Sequence, residues 1–178
     1  CVQPGESTLV IGAGSVTIRV LLNPLLAVHT QMELAEKAPY RIDHARKMDI
    51  GRVVDVGAED LKDVIEAETE VGVDVAADAT GSQLPAAVEC ARRGGRVLVF
   101  GVNTQAVTQF HQCDITIKEL QVLGTWAANA AFPDAVNVLE AGLLDIGGLI
   151  TDVISLSDIH QGLEKLMRGE AVKVIIKP

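Results

Sequence analysis

The stretch that most constrains how this chain can fold is residues 8–17, Thr-Leu-Val-Ile-Gly-Ala-Gly-Ser-Val-Thr. β-Branched and aliphatic residues run into two glycines one residue apart, and a helical pattern follows. Strand, tight turn and helix start in that order are the opening of a βαβ unit of the dinucleotide-binding kind. Gly12 makes the turn and Gly14 lets the backbone approach a pyrophosphate. Ser15 and Val16 open a helix whose N–H groups and partial positive charge suit phosphates. Thr17 stands where the third glycine of such a fingerprint belongs.

Beyond that turn, strands and helices alternate as far as residue 126. Strands are expected over residues 31–36, 52–56, 73–79, 96–101 and 120–125, and helices over 15–27, 39–48, 59–70 and 85–93. Pro24 ends or kinks the first helix, because an internal proline removes a hydrogen bond and costs roughly 3 kcal/mol. Residues 31–36 make a poor strand by propensity and are assigned as one because the crossover needs it. The alternation predicts an α/β fold, a doubly wound parallel sheet of the Rossmann type. The chain is 48% hydrophobic with only 3% aromatic residues, which suits aliphatic strands covered on both faces. A C-terminal αβαβ segment follows: helix 134–140, strand 150–154, helix 157–167 capped by Ser157 or Asp158, and strand 172–176.

Other classes are disfavoured by composition. A formal charge of −9 and a pI near 4.8 argue against a nucleic-acid partner. The longest apolar run, near residues 20–28, is broken by Asn23 and Pro24 and is too short to cross a membrane. No signal peptide is visible, and three cysteines (Cys1, Cys90, Cys113) without framework spacing suggest reduced thiols and a cytoplasmic setting. His111, Cys113 and Asp114 are expected in a solvated loop rather than a zinc site, which needs three or four convergent ligands. Asp74 and Asp78 share one face of a strand, where they are structural or close to a cofactor. The opening Cys1 leads to the expectation that the chain was cut or is one piece of a longer protein.

A carboxylate strengthens the opening motif. Glu36 lies 22 residues beyond Gly14, where the second strand ends. An acid there accepts hydrogen bonds from both adenosine ribose hydroxyls and repels a 2′-phosphate, so NAD is expected over NADP. Lys37 and Arg41 stand close enough to soften that preference. Gly81 and Gly101 also end strands, so several glycine-tipped strand ends on one rim would form a shelf for the cofactor.

Four segments resemble the medium-chain dehydrogenase/reductases, nearest their zinc-dependent alcohol, polyol and threonine dehydrogenases. They are P-G-E-S-T-L-V-I-G-A-G, R-R-G-G-R-V-L-V-F-G, K-E-L-Q-V-L-G-T and the closing A-V-K-V-I-I-K-P. The resemblance implies a cofactor domain over residues 2–126 and a segment over 132–178 that packs on a catalytic domain. It implies that Gly12, Gly14, Ser15 and Val16 face the pyrophosphate, that Glu36 holds the adenosine ribose, and that Arg41 lies beside the adenosine. Thr80, Gly81, Gly101, Val102, Gly124 and Thr125 would line the path toward the nicotinamide. It further implies that zinc ligands and proton relay belong to an N-terminal catalytic domain outside this chain, which alone would turn nothing over. Family dimers or tetramers would form through the strand at 120–125.

The expected function is therefore the NAD-binding part of an oxidoreductase passing hydride between an alcohol or polyol and the cofactor. Two alternatives stay open. One is a zinc-free, NADPH-dependent quinone reductase-like enzyme, and the other a non-catalytic Rossmann module acting in dimer assembly.

Overall fold

A computed structural model describes residues 2–15, 31–49, 51–126, 132–142 and 147–178. The expected helix over 15–27, with Val16, Thr17 and Pro24, lies outside those residues apart from Ser15.

Six strands form one parallel sheet: β1 (Ser7–Ile11), β2 (Gln31–Glu36), β3 (Arg52–Asp55), β4 (Val73–Asp78), β5 (Ala91–Val99) and β6 (Gln121–Gly124). Their spatial order is β3-β2-β1-β4-β5-β6, so the winding reverses between β1 and β4. This is the doubly wound arrangement that the alternating pattern predicts. Residues 31–36 form a strand despite their propensity because β1 and β3 pair with them on both sides, Leu34 lying between Val10 and Val53.

Helices α1 (Pro39–Lys47), α2 (Leu61–Thr69), α3 (Leu84–Cys90) and the short α4 (Cys113–Ile117) connect the later strands. One core collects Leu9, Ile11, Ala35, Ile65, Ala76, Val88 and Val97. A second collects Val10, Leu34, Ile42, Ala45 and Val53. Residues alternating along β1 and β2 thus feed opposite faces, as a sheet clad on both sides requires.

Three local expectations are corrected. Helix α3 stops at Cys90, not Arg93, and β5 begins at once with Ala91 extended at φ −72°, ψ 137°. The Lys118 ammonium ends the helix by donating to the carbonyls of Val88, Glu89 and Ala91 at 3.0, 2.6 and 3.0 Å. Arg92 is drawn into the strand by Asp74, its Nε donating to Oδ1 at 2.6 Å. The expected loop at His111–Asp114 contains the start of α4, although His111 and Cys113 are indeed exposed. Neither Ser157 nor Asp158 caps a helix through its side chain, since the Ser155 hydroxyl donates to Asp158 Oδ2 at 2.7 Å instead.

After α5 (Phe132–Glu140), β7 (Asp152–Ser155) and β8 (Val174–Lys177) form a separate parallel pair joined by α6 (Ile159–Arg168). Gly162 lets α6 lie directly on β7: a Cβ there would sit 2.5 Å from Ile154 Cδ1. Leu149 and Val172 carry this segment into the second core. No helix among the described residues is long and apolar enough to cross a membrane.

Candidate functional site

In an open α/β sheet, ligands lie at the carboxyl ends of the strands where the winding reverses, here between β1 and β4. Gly12 leaves β1 at φ +106°, a left-handed conformation that disfavours any side chain. A Cβ at that position would also come within 2.8 Å of Thr80 Cγ2 at the end of β4. The Gly12 N–H donates to Ala35 O at 2.8 Å, fixing the turn against the end of β2. Beside Gly14, a Cβ would meet nothing within 4 Å. Packing among the described residues therefore does not demand the glycine, and none of them fills the space beside it.

Glu36 closes β2 and is 8% exposed. Its Oε2 accepts from Ala13 N at 2.8 Å, and its Oε1 accepts from Lys37 N at 2.8 Å and Ala38 N at 3.0 Å. Three backbone N–H groups thus hold the carboxylate in one orientation. Two oxygens carry about four acceptor sites, so lone-pair capacity remains for one hydroxyl donor.

Asp78 does the corresponding work at the end of β4. It is 1% exposed, and its Oδ1 accepts from Thr80 N, Thr80 Oγ1 and Gly81 N at 2.8, 2.7 and 2.9 Å. Its Oδ2 accepts from Gln83 N at 2.8 Å. Phe100 and Gly101 N–H groups both donate to the Asp78 carbonyl, at 3.1 and 2.8 Å. Gly81 and Gly101 pack backbone to backbone, so a Cβ on Gly81 would fall 2.7 Å from Asn103 N. The buried carboxylate orders the turn after β4, while the Asp78 carbonyl joins that turn to the end of β5.

Along this rim runs a cleft of about 430 Å³ whose walls include Gly12, Glu36, Lys37, Val56, Asp60 and Gln83. A second cleft, about 450 Å³, lies between α2, α3 and α4. Its lysines are engaged: Lys62 lies 3.8 Å from Glu66 and 3.7 Å from Glu89, and Lys118 is spent on α3. The rim cleft, with a glycine turn and an oriented acid, is the chemically equipped one.

Of the residues singled out in the sequence, Gly12, Glu36 and Thr80 line the cleft, and Gly81 and Gly101 adjoin Thr80. Val102 is 62% exposed, and Gly124 and Thr125 are exposed at the end of β6. Val16 lies outside the described residues. Arg41 is turned elsewhere: its Nε donates to Ala171 O and its Nη2 to Leu166 O, both at 3.2 Å. It ties α1 to the end of α6 and is not among the cleft residues. The outer wall formed by Val56, Asp60 and Leu61 was not anticipated. Its sequence signal was the acidic cap of α2 falling directly after a strand end. Among the described residues no group of three His, Cys, Asp or Glu side chains could hold a metal ion.

The doubly wound sheet, the glycine turn and the acid at the tip of β2 define a Rossmann-type α/β protein. Residues 27–141 match the family model for zinc-binding dehydrogenases. D-arabinitol dehydrogenase 1 of Uromyces fabae is 30% identical over 99% of this chain and 52% of its own length. Alcohol dehydrogenase TADH from Thermus sp. ATN1 superposes with a TM-score of 0.87 at 26% identity, over 99% of this chain and 54% of that one. A protein of Sinorhizobium meliloti 1021, solved bound to NADP, gives a TM-score of 0.83 at 25% identity, covering 99% and 53%. The chain belongs to the zinc-dependent medium-chain dehydrogenase family. It spans about half the length of the curated relatives it matches.

Proposed function

We propose that this chain is the cofactor-holding part of an NAD-dependent dehydrogenase whose parent moves hydride between an alcohol or polyol and nicotinamide. The observation that carries this reading is the Glu36 carboxylate, fixed by three backbone N–H groups beside the glycine turn and facing the rim cleft. In this reading Gly12, Gly14 and Ser15 receive the pyrophosphate, Glu36 accepts from a ribose hydroxyl, and Thr80 and Gly81 border the route toward the nicotinamide. Bound nicotinamide supplies the hydride acceptor or donor. Polarising the substrate's oxygen is the task that zinc performs in chemistry of this kind, and no residue described here is assigned to it.

Glu36 also sets the choice of cofactor, since a fixed negative charge repels a 2′-phosphate. Lys37 lines the same cleft and favours the second reading, an NADPH-using reductase, to the extent that its ammonium can reach such a phosphate. Fluorescence titration with NADH and NADPH separates the two. NADH is expected to saturate the chain and bind more tightly than NADPH, and Glu36→Gln should weaken NADH about tenfold or more, the worth of a charged hydrogen bond. Absence of saturation at millimolar concentrations of either cofactor overturns the reading, and tighter NADPH binding replaces it with the second.

A further inference from the structure

Beyond Glu36 the cleft continues to an outer end formed by Val56 at the tip of β3, Asp60 and Leu61 at the start of α2, and Gln83 opposite. Phosphate, ribose and base follow one another in a dinucleotide. A pyrophosphate at the glycine turn and a ribose at Glu36 therefore lay the base against this outer end. Val56 (38% exposed) and the half-buried Leu61 offer aliphatic surface to the flat faces of a base.

Polar groups at this end differ in what they have left to give. Both Glu59 oxygens are engaged, Oε1 by Asp55 N at 3.3 Å and Oε2 by Arg52 Nη2 at 3.2 Å. Asp60 is different. Its Oδ1 accepts from Asp63 N at 3.0 Å as the N-cap of α2, which fixes the rotamer. Its Oδ2 accepts no hydrogen bond from any described residue and belongs to a side chain lining the cleft. A carboxylate held by one oxygen, with the other available, recognises an N–H donor at the edge of a base and rejects a carbonyl there.

We propose that Asp60 reads the exocyclic amine of adenine, so that the outer end of the cleft selects a 6-amino purine over a 6-oxo purine. The inference rests on the cofactor reading above and adds a base-reading residue to it. Truncating such a contact leaves a donor unpaired in the complex, and Asp60 is exposed, so the effect is moderate rather than absolute.

The test is calorimetric binding of NAD and of nicotinamide hypoxanthine dinucleotide, which carries a carbonyl in place of the amine. Wild type is expected to prefer NAD about tenfold. Asp60→Asn keeps an N-cap of equal rank, so the helix should survive, and its amide can donate to the 6-oxo group. The preference should then fall to near parity or reverse. Equal binding of the two dinucleotides by wild type, or an unchanged ratio in the Asn variant, overturns the role of Asp60 while leaving the cofactor reading intact. If wild type binds neither dinucleotide, the cofactor reading itself fails.

Discussion

Glu33 occupies the middle of β2 with 0% exposure, and neither of its carboxylate oxygens has a hydrogen-bond partner among the described residues. It lies in register between Leu9 on β1 and Arg52 on β3. The Arg52 guanidinium is itself divided between Glu59 and Glu68, and Glu68 belongs to α2 above this face. Burial pushes the Glu33 carboxyl up from 4.5 to about 7, with Arg52 opposing only part of the shift. The folded chain thus binds this proton more tightly than the unfolded chain does. The resulting stabilisation is complete below about pH 4.5, is lost as pH rises through about 7, and amounts to roughly 3 kcal/mol. Asp74 and Asp152 are held below the ordinary carboxylate range. Asp74 is lowered by Ser7 and Arg92 against the opposing effect of burial, and Asp152 by Lys165. Their contributions disappear only in more acidic solution. Melting temperature should therefore fall between pH 5 and pH 8. Glu33→Met, similar in volume and without charge, should flatten that profile and raise the melting point at pH 8 by several degrees, at about 2–4 °C per kcal/mol. A variant that melts below wild type at pH 8, or follows the same slope, removes this account of Glu33. The strand assignment for residues 31–36 and the place of Glu36 at its end were legible in the sequence. The burial of Glu33 beneath α2 was not, because it depends on a helix almost thirty residues further along the chain. Nor could sequence spacing show that Arg41 would find its acceptors on Leu166 and Ala171.

At the scale of elements, order and type followed from local pattern, whereas ends were set by distant side chains. Strand 31–36 falls where the crossover needs it in spite of its composition, and the strand expected over 73–79 ends at Asp78. The junction of α3 and β5 falls elsewhere than expected, because the Ala-Arg-Arg stretch is compatible with continuing a helix and the pair Gly94-Gly95 looks like its stop. What ends α3 three residues earlier is the Lys118 ammonium, which takes three carbonyls at the helix terminus from 27 to 30 residues away. A cation at this end also opposes the helix dipole's negative pole. Lys118→Met should then lower stability by about 1–3 kcal/mol, read as a reduced urea midpoint at unchanged slope. Cofactor affinity should not change, since Lys118 is not among the residues that line the rim cleft. An unaltered midpoint would show that water replaces the ammonium without loss.

At the scale of the whole molecule, the two edges of the six-stranded sheet are treated differently. Along β3, Arg52 is paired with Glu59 and Glu68 and Asp55 N is taken by Glu59, so charges blunt that edge. Along β6 all four residues are exposed and uncharged, with Val122 at 37% and Leu123 at 45%. An uncovered, uncharged edge strand offers its backbone to another strand. We propose self-pairing of two copies across β6, the assembly that resemblance to the family implied for residues 120–125. Trp126, the single tryptophan of the chain, follows this edge at 76% exposure and provides a reporter within the same surface. Sedimentation equilibrium should show a dimer, and dilution should shift tryptophan emission to the red as Trp126 returns to water. Leu123→Lys places a charge of the kind that guards natural edges and should leave a monomer with red-shifted emission at every concentration. Because the edge lies apart from Glu36 and Asp60, the monomeric variant should keep the NADH affinity of wild type. A wild-type chain that sediments as a monomer throughout its soluble range, with emission independent of concentration, would show that β6 does not pair two copies of this chain.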